Sequence, residues 1–376
     1  MNRNMNPFSF LKQANNDRLI ILDISSGSVG AAAITLRRGE APIVDYIKRL
    51  PLPIKERVLT KTLLANTLGA IKEIASDIVR EKKQTNTLAI TLASPWHTSR
   101  TKVISVNKKE SFTVTEGLIN EMVLKEALEG NKEEKGDLTV LENRVAHLKI
   151  NGYTTTNPYG KTANRLDLSL YASLAPTSFL KKVEEVMQGH FSIAHISHHS
   201  FPLVSFSAIQ KIFYNDRDFV YVDVAGEVTD VAAVSDGAIV GTSSFPVGKN
   251  NLVRKVADHF KTTPDLAFSF VKLYSQGRAS SDLNLQIATL SGAVKEEWLA
   301  YFHQSTSEIY TTHALPSKIF LTIDDDVSDI FLSYIPELFT SKIFLSDKNL
   351  SEFCHVNKHI QHDPFLMLES IYLNSL

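Results

Sequence analysis

Leu19-Ile20-Ile21-Leu22-Asp23-Ile24-Ser25-Ser26-Gly27, continuing as Val29-Gly30-Ala31-Ala32-Ala33-Ile34, recurs in kind 200 residues later. The second copy is Phe219-Val220-Tyr221-Val222-Asp223-Val224-Ala225-Gly226, followed by Asp230-Val231-Ala232-Ala233-Val234. Each copy reads as an apolar strand that delivers a carboxylate into a turn of small residues and returns as a second apolar strand. Each then passes a turn dipeptide, Arg38-Gly39 or Asp236-Gly237, into a third strand, Ile43 to Leu50 or Ala238 to Phe245. Carboxylates kept in register over that distance predict two similar lobes facing each other. The chemistry expected is a nucleotide held between two small-residue hairpins, with Asp23 and Asp223 near its divalent cation.

Outward from the repeat, the chain divides. Residues 1–17 read as a polar, mobile tail with an apolar segment, Pro7 to Leu11. Leu64, Leu68, Ile71, Ile74, Ala75 and Ile78 recur at helical spacing within Leu63 to Arg80, and Thr87 to Leu92 is a short strand. Residues 18–96 then form the first part of one lobe. Residues 97–175 interrupt it as an inserted αβ module. Its expected elements are a strand at Lys102 to Val106, a helix from Glu116 to Leu128 capped by Thr115, and strands at Val140 to Ile150 and Leu166 to Ala175. Asn131 to Gly136, Asn151-Gly152 and Asn157-Pro158-Tyr159-Gly160 are read as turns. Residues 176–218 resume the first lobe with a helix, a strand near Ile193 to Ile196 and a helix after Pro202, and 219–376 form the second.

Bulk properties bound the function. The chain has 376 residues, 43% of them apolar and 22% charged, which is an ordinary globular composition. A net charge of −1 gives no general attraction to nucleic acid. A single cysteine, Cys354, excludes an internal disulfide framework and fits a reducing cytoplasm. No apolar run approaches the roughly 20 residues that span a bilayer, and the N-terminus is not a secretory signal.

These segments resemble the actin-like ATPase superfamily, within it the FtsA cell-division and PilM pilus-assembly branch. Asp23 to Val29 resembles the first phosphate loop, Asp223 to Asp230 the second, and Phe245-Pro246-Val247-Gly248 the segment after the second hairpin. The insert, with Asn151-Gly152-Tyr153 and its Asn-Pro-Tyr-Gly turn, resembles the SHS2 domain of that branch. The resemblance implies an α/β, actin-like fold of two ribonuclease-H-type lobes with an SHS2-like insert. It implies ATP with Mg²⁺ as cofactor, Asp23 and Asp223 holding the metal through water, and Asp230 orienting the attacking water. Ser26, Gly27, Ser28, Gly226, Thr229, Gly248 and Lys272 would contact the nucleotide.

The sequence departs from that pattern. Ala225 and Glu227 stand where two glycines belong, and Val228 replaces a hydroxyl residue. Glycines there let backbone amides approach phosphate oxygens, and Glu227 sets a negative charge beside an anion. Leu321-Thr322-Ile323-Asp324-Asp325-Asp326 replaces a Gly-Gly floor for adenine, and of the family's Glu-x-x-Lys contact Ser269 replaces the glutamate while Lys272 remains. The expectation is weakened nucleotide binding and at most a weak ATPase. The function implied is an FtsA-like scaffold for cell division that binds partner proteins and polymerises, peripheral to the inner face of the cell membrane through them. The alternatives are a PilM-like cytoplasmic adaptor of a pilus or secretion assembly and an active ATPase or kinase.

Two histidine groups, His195, His198, His199 and His355, His359, His362, lie in stretches read as polar turns; the second contains a spacing that binds metal on a helix. Asp324 to Asp326 with Asp329 reads as a solvated strand end. The last segment, Asp363 to Leu373, carries no Lys or Arg, so it is a helix packed on the second lobe and not a basic membrane anchor.

Overall fold

A computed structural model of the chain describes residues 17–133, 137–155, 157–310 and 314–376. The expected tail, Asp17 apart, and residues 134–136 of the turn expected at 131–136 lie outside them, while Asn131 to Glu133 belong to the helix before it. The first lobe opens with β1 (Arg18–Ile24), β2 (Ser28–Thr35) and β3 (Ile43–Pro51), joined antiparallel in that order. α1 (Thr60–Arg80) buries Ile71, Ile74, Ala75 and Ile78, the stripe its periodicity marks, and leads to β4 (Thr87–Leu92), parallel to β1. Each such isoleucine contributes about 1.5–3 kcal/mol by leaving water.

The inserted segment supplies β5 (Thr98–Thr113), α2 (Glu116–Glu133), β6 (Leu138–Ile150), β7 (Tyr153–Thr154) and β8 (Thr162–Pro176). They make a separate four-stranded sheet in the order β5-β8-β6-β7. Thr115 Oγ1 accepts from the Leu118 amide, the cap its position predicts. α3 (Thr177–Gln188), β9 (His195–Ser200) and α4 (Phe201–Ile212) return the chain to the first sheet, where β9 lies parallel to β4.

The second lobe repeats the plan. β10 (Phe219–Val224), β11 (Thr229–Ser235) and β12 (Ala238–Phe245) form the antiparallel trio. α5 (Lys249–Phe260), α6 (Pro264–Ser275) and α7 (Ser281–Ile309) precede β13 (Lys318–Thr322), which is parallel to β10. A 3₁₀ turn at Asp325–Val327, α8 (Ser328–Leu332), β14 (Ser341–Phe344), α9 (Asp347–Leu350), β15 (His355–Val356) and α10 (Pro364–Leu373) complete the chain. The sheet orders are β15-β3-β2-β1-β4-β9 and β12-β11-β10-β13-β14.

The repeat reaches atomic detail. Ser25 N–H donates to the Ser28 carbonyl and Ala225 N–H to the Val228 carbonyl, both at 3.0 Å. Both hairpins also slip register at matching places, after Ala33 and after Ala233. One core lies between the two sheets around α4 and α10, uniting Ile21 and Ala32 with Tyr221 and Ala232.

Three expectations are corrected. β15 pairs with Ile43 and Val44, and α10 packs on α4 and the β1–β3 face, so the final helix docks on the first lobe. Its apolar side, Leu366, Met367, Ile371 and Leu373, matches the surface that the small side chains of β2 leave open. His195, His198 and His199 lie in a strand, held there because Glu184 bonds His198 at 2.8 Å and Ser197 bonds His199 at 3.1 Å. His355 is in β15 while His359 sits in a turn at φ 75°, so their spacing gives no shared helical face. Among the described residues no group of three His, Cys, Asp or Glu is arranged to hold a metal ion.

Candidate functional site

The turns after β1 and β10 meet head to head. A Cβ on Gly226 would fall 2.5 Å from the Gly27 Cα, so only glycine backbones approach this closely. The contact is tied by the Glu227 amide, which donates to Ser26 Oγ at 2.9 Å. Between the turns remains a cavity of about 20 Å³, lined by Asp23, Ser28, Arg49, Asp223, Lys249 and Asp324, among others. That is room for about one water, against several hundred Å³ for a typical small-molecule site.

Asp23 and Asp223 both reach this cavity and both are buried. Their surroundings differ. Asp23 lies 2.7 Å from Arg49 Nη2, while Arg49 Nε donates to Asp363 at 2.6 Å and Nη1 to Ser28 Oγ at 2.9 Å. Burial holds the Asp23 carboxyl above its usual range even with Arg49 beside it. Burial also works against the charged Arg49, but Asp363 and Asp23 outweigh it and raise its pKa. Asp223 has no cation in contact; it accepts from Thr322 Oγ1 at 2.6 Å, and burial raises its pKa well above the carboxylate range.

Register explains the asymmetry. Asp223 stands opposite Asp230 across β10 and β11, whereas Asp23 stands opposite Gly30 across β1 and β2. Gly30 is in turn opposite Arg49 on β3, and a Cβ there would meet Arg49 Nη2 at 2.6 Å. The missing side chain lets the guanidinium cross the strand. Asp230 itself accepts from Ser94 Oγ at 2.6 Å and from Ser244 Oγ at 2.5 Å, bridging the turn after β4 to the second lobe. Close by, His97 is buried with neither ring nitrogen hydrogen-bonded, and burial lowers its pKa.

The second loop spends its own polar groups locally. Lys249 and Asn250 amides, at the N-terminus of α5, donate to the Ala225 and Gly226 carbonyls at 3.0 and 2.9 Å. The helix end that could bind an anion is thereby occupied. Gly248 N–H donates to Asn251 Oδ1. Glu227 turns away from the cavity toward α5, where Arg254 grips it with two bonds at 3.0 and 2.7 Å and Asn250 adds a third. Thr229 faces the core, donating to the Val247 carbonyl and accepting from Trp298 Nε1 at 3.1 Å. Lys249 lines the cavity, paired with Asp324, and burial lowers its pKa to about 8. Lys272, on α6, is half-exposed at the rim and paired with Asp326 at 3.0 Å.

The fold therefore brings Asp23, Ser26, Gly27, Ser28, Asp223, Gly226, Asp230 and Gly248 together, and turns Thr229 and Lys272 elsewhere. Arg49, Lys249 and Asp363 complete the cluster and were not legible as site residues; Lys249, directly after Gly248, carried the nearest signal. This arrangement does not fit Mg²⁺ with a nucleotide. Asp23 is taken by Arg49, Asp223 is taken by the Thr322 hydroxyl, and the loop donors face loop carbonyls. A divalent cation would also sit against two fixed positive groups.

No family model matches this sequence, and no curated protein is detectably similar to it. Among solved structures the chain is similar to one described as the PilM-PilN type IV pilus biogenesis complex, at 13% identity and TM-score 0.67, covering 95% of this chain and 96% of that one. Weaker likenesses are to the ethanolamine utilization protein EutJ of Carboxydothermus hydrogenoformans, at 11% identity and TM-score 0.48 over 95% and 89%, and to a Bacteroides thetaiotaomicron protein with actin-like ATPase fold, at 11% identity and TM-score 0.41 over 92% and 96%. With its two lobes of matching strand order, this chain has the actin-like ATPase fold.

Proposed function

We propose that the protein is a binding scaffold of the PilM kind, an adaptor that holds an extended segment of a membrane-anchored partner. The carrying observation is where free space lies. The inter-lobe cavity is about 20 Å³, while a groove of about 540 Å³ runs between the inserted module and the first lobe. Val140, Asn143 and Arg144 of β6 form one wall; Ile196, Ser197 and His198 of β9 form the other. β9 is the outermost strand of its sheet, pairing only with β4 among the described residues. A strand edge beside an apolar and basic wall suits an extended peptide that adds backbone hydrogen bonds and seats alternate side chains. The likeness to the PilM-PilN complex supports the same reading. No described helix is long and apolar enough to cross a membrane.

The FtsA-like reading, a polymerising division scaffold, has one feature in its favour. Tyr159 and Tyr214, 55% and 77% exposed, line a second groove between the module and the Asp236-Gly237 turn, with Tyr153 81% exposed nearby on β7. Exposed aromatic clusters of this sort mark protein contacts.

The test is fluorescence anisotropy with a labelled peptide copied from the N-terminal cytoplasmic segment of the membrane protein encoded beside this gene. Binding lost in Ile196→Asp but kept in Tyr214→Ala supports the adaptor. Binding indifferent to Ile196→Asp overturns it, and sedimentable polymer abolished by Tyr214→Ala supports the division reading.

A further inference from the structure

The interior between the lobes holds more acid than base. Asp23, Asp223, Asp363 and Glu369 converge there, and Glu369 of α10 is fully buried, with the Thr91 hydroxyl beside it. Such a setting calls for a cation. Arg49 meets that need from within the chain. Its guanidinium bonds Asp23, Ser28 and Asp363 together and stacks 4.9 Å from the Phe365 ring centroid. Asp363 is the N-cap of α10, accepting from the Leu366 amide at 3.1 Å, so the same carboxylate sets the helix start and the arginine. The Gly30 gap, which a Cβ would close, is the sequence feature that lets the group in.

We propose that Arg49 is a built-in cation: it occupies the position a metal would take at Asp23 and latches α10 onto the first lobe, so that this wall of the cavity needs no bound ion or nucleotide to hold its shape. Lys249, on the opposite wall, is already committed to Asp324 and does not compete for Asp23, and Asp230 is committed to the two serines and does not compete for Arg49. A fixed guanidinium differs from a bound ion in one respect. It cannot dissociate, so the latch is insensitive to metal concentration and is opened only by displacing Asp363 or the helix it caps.

The experiment adds Mn²⁺, read by its paramagnetic signal, and separately Mg-ATP, to the full chain and to Asp23→Asn, Arg49→Gln, Arg49→Ala and Arg49→Gln/Asp23→Asn. The native chain is expected to bind no Mn²⁺ at this site and to keep its melting midpoint when Mn²⁺ or Mg-ATP is added. Arg49→Gln melts lower, gains one bound Mn²⁺ at least tenfold tighter than the native chain, and recovers part of its midpoint; adding Asp23→Asn removes both effects. Native binding of Mn²⁺ that Asp23→Asn abolishes would overturn the proposal. So would a folded Arg49→Gln that gains no Mn²⁺. Should neither Arg49 variant fold, the native response still decides, since a midpoint raised by Mg-ATP is incompatible with a self-sufficient latch. None of these outcomes depends on the adaptor reading, which the partner peptide tests separately.

Discussion

Replacing Gly226 with alanine tests whether the two turns touch in solution. The new Cβ would lie 2.5 Å from the Gly27 Cα and 2.8 Å from its nitrogen, both backbone atoms, and 3.0 Å from Asn250 Nδ2. Relief requires the turns to part by roughly 1 Å, toward the ordinary contact distance of about 3.5–4 Å between carbons. That shift stretches the 2.9 Å bond from the Glu227 amide to Ser26 beyond hydrogen-bond length. Overpacking costs about 1–3 kcal/mol and the lost hydrogen bond about 0.5–1.5 kcal/mol, so destabilisation of about 2–4 kcal/mol is expected. Equilibrium denaturation in urea measures it, and amide exchange should quicken in both turns. Gly69→Ala is the control: it lies inside α1 with open space around its Cβ, and helix propensity predicts a gain of about 0.5–1 kcal/mol. A Gly226→Ala variant within about 0.5 kcal/mol of the native chain would refute the closed geometry and reopen the cleft to nucleotide.

Arg254→Ala should cost about 3 kcal/mol, the low end for a buried pair, because it strands the Glu227 carboxylate; pairing it with Glu227→Leu should restore most of the loss. Trp298→Ala, which empties a fully buried ring stacked on Phe302 and frees Thr229, should cost about 3–5 kcal/mol by the same measurement. The pH dependence has a definite sign. Burial raises the Glu369 and Asp223 pKa values, so the folded chain keeps protons that the unfolded chain releases above about pH 4, and stability falls as pH rises from there. Glu369→Gln should flatten that fall in a series of urea midpoints; an unchanged slope would remove Glu369 as its source. Glu142 acts oppositely: burial would raise it, but His199, Ser173 and Ser200 hold its pKa low, so the stability it contributes is lost only as pH drops into the acid range.

The fold was legible where local chemistry and tertiary demand agree. The two hairpins announce themselves through apolar strands, small turns and the Asp236-Gly237 dipeptide, both of whose residues take positive φ. α1 was legible for the same reason, since its buried stripe is continuous. β5 was read too short because its side chains are largely exposed and carry Lys108, Lys109 and Glu110, giving no apolar alternation to follow. β9 was displaced because His195, His198, His199 and Ser200 look like a turn until their partners in α3 and β6 are known. The helical run after Gly248 breaks at Lys261, which is left-handed, before Thr263 caps α6, so Lys272 belongs to a second helix. The carboxylates of the site could be named from the repeat. Arg49 could not, because its role depends on a partner 314 residues away and on the absence of a side chain at Gly30.

That long reach bears on how the chain is made. Ribosomal synthesis delivers β3 early, but the strand that covers its edge, β15, and the helix that covers its face, α10, emerge last. Until they arrive, Ile43 and Val44 offer unpaired backbone and Arg49 has only one of its two carboxylate partners. The first lobe can begin to fold on the ribosome but is completed only once β15 and α10 have been made, so a product interrupted before them would present a sticky sheet edge to chaperones and proteases. Topology thus ties the two ends of this sequence together: only a chain read through α10 yields a finished first lobe.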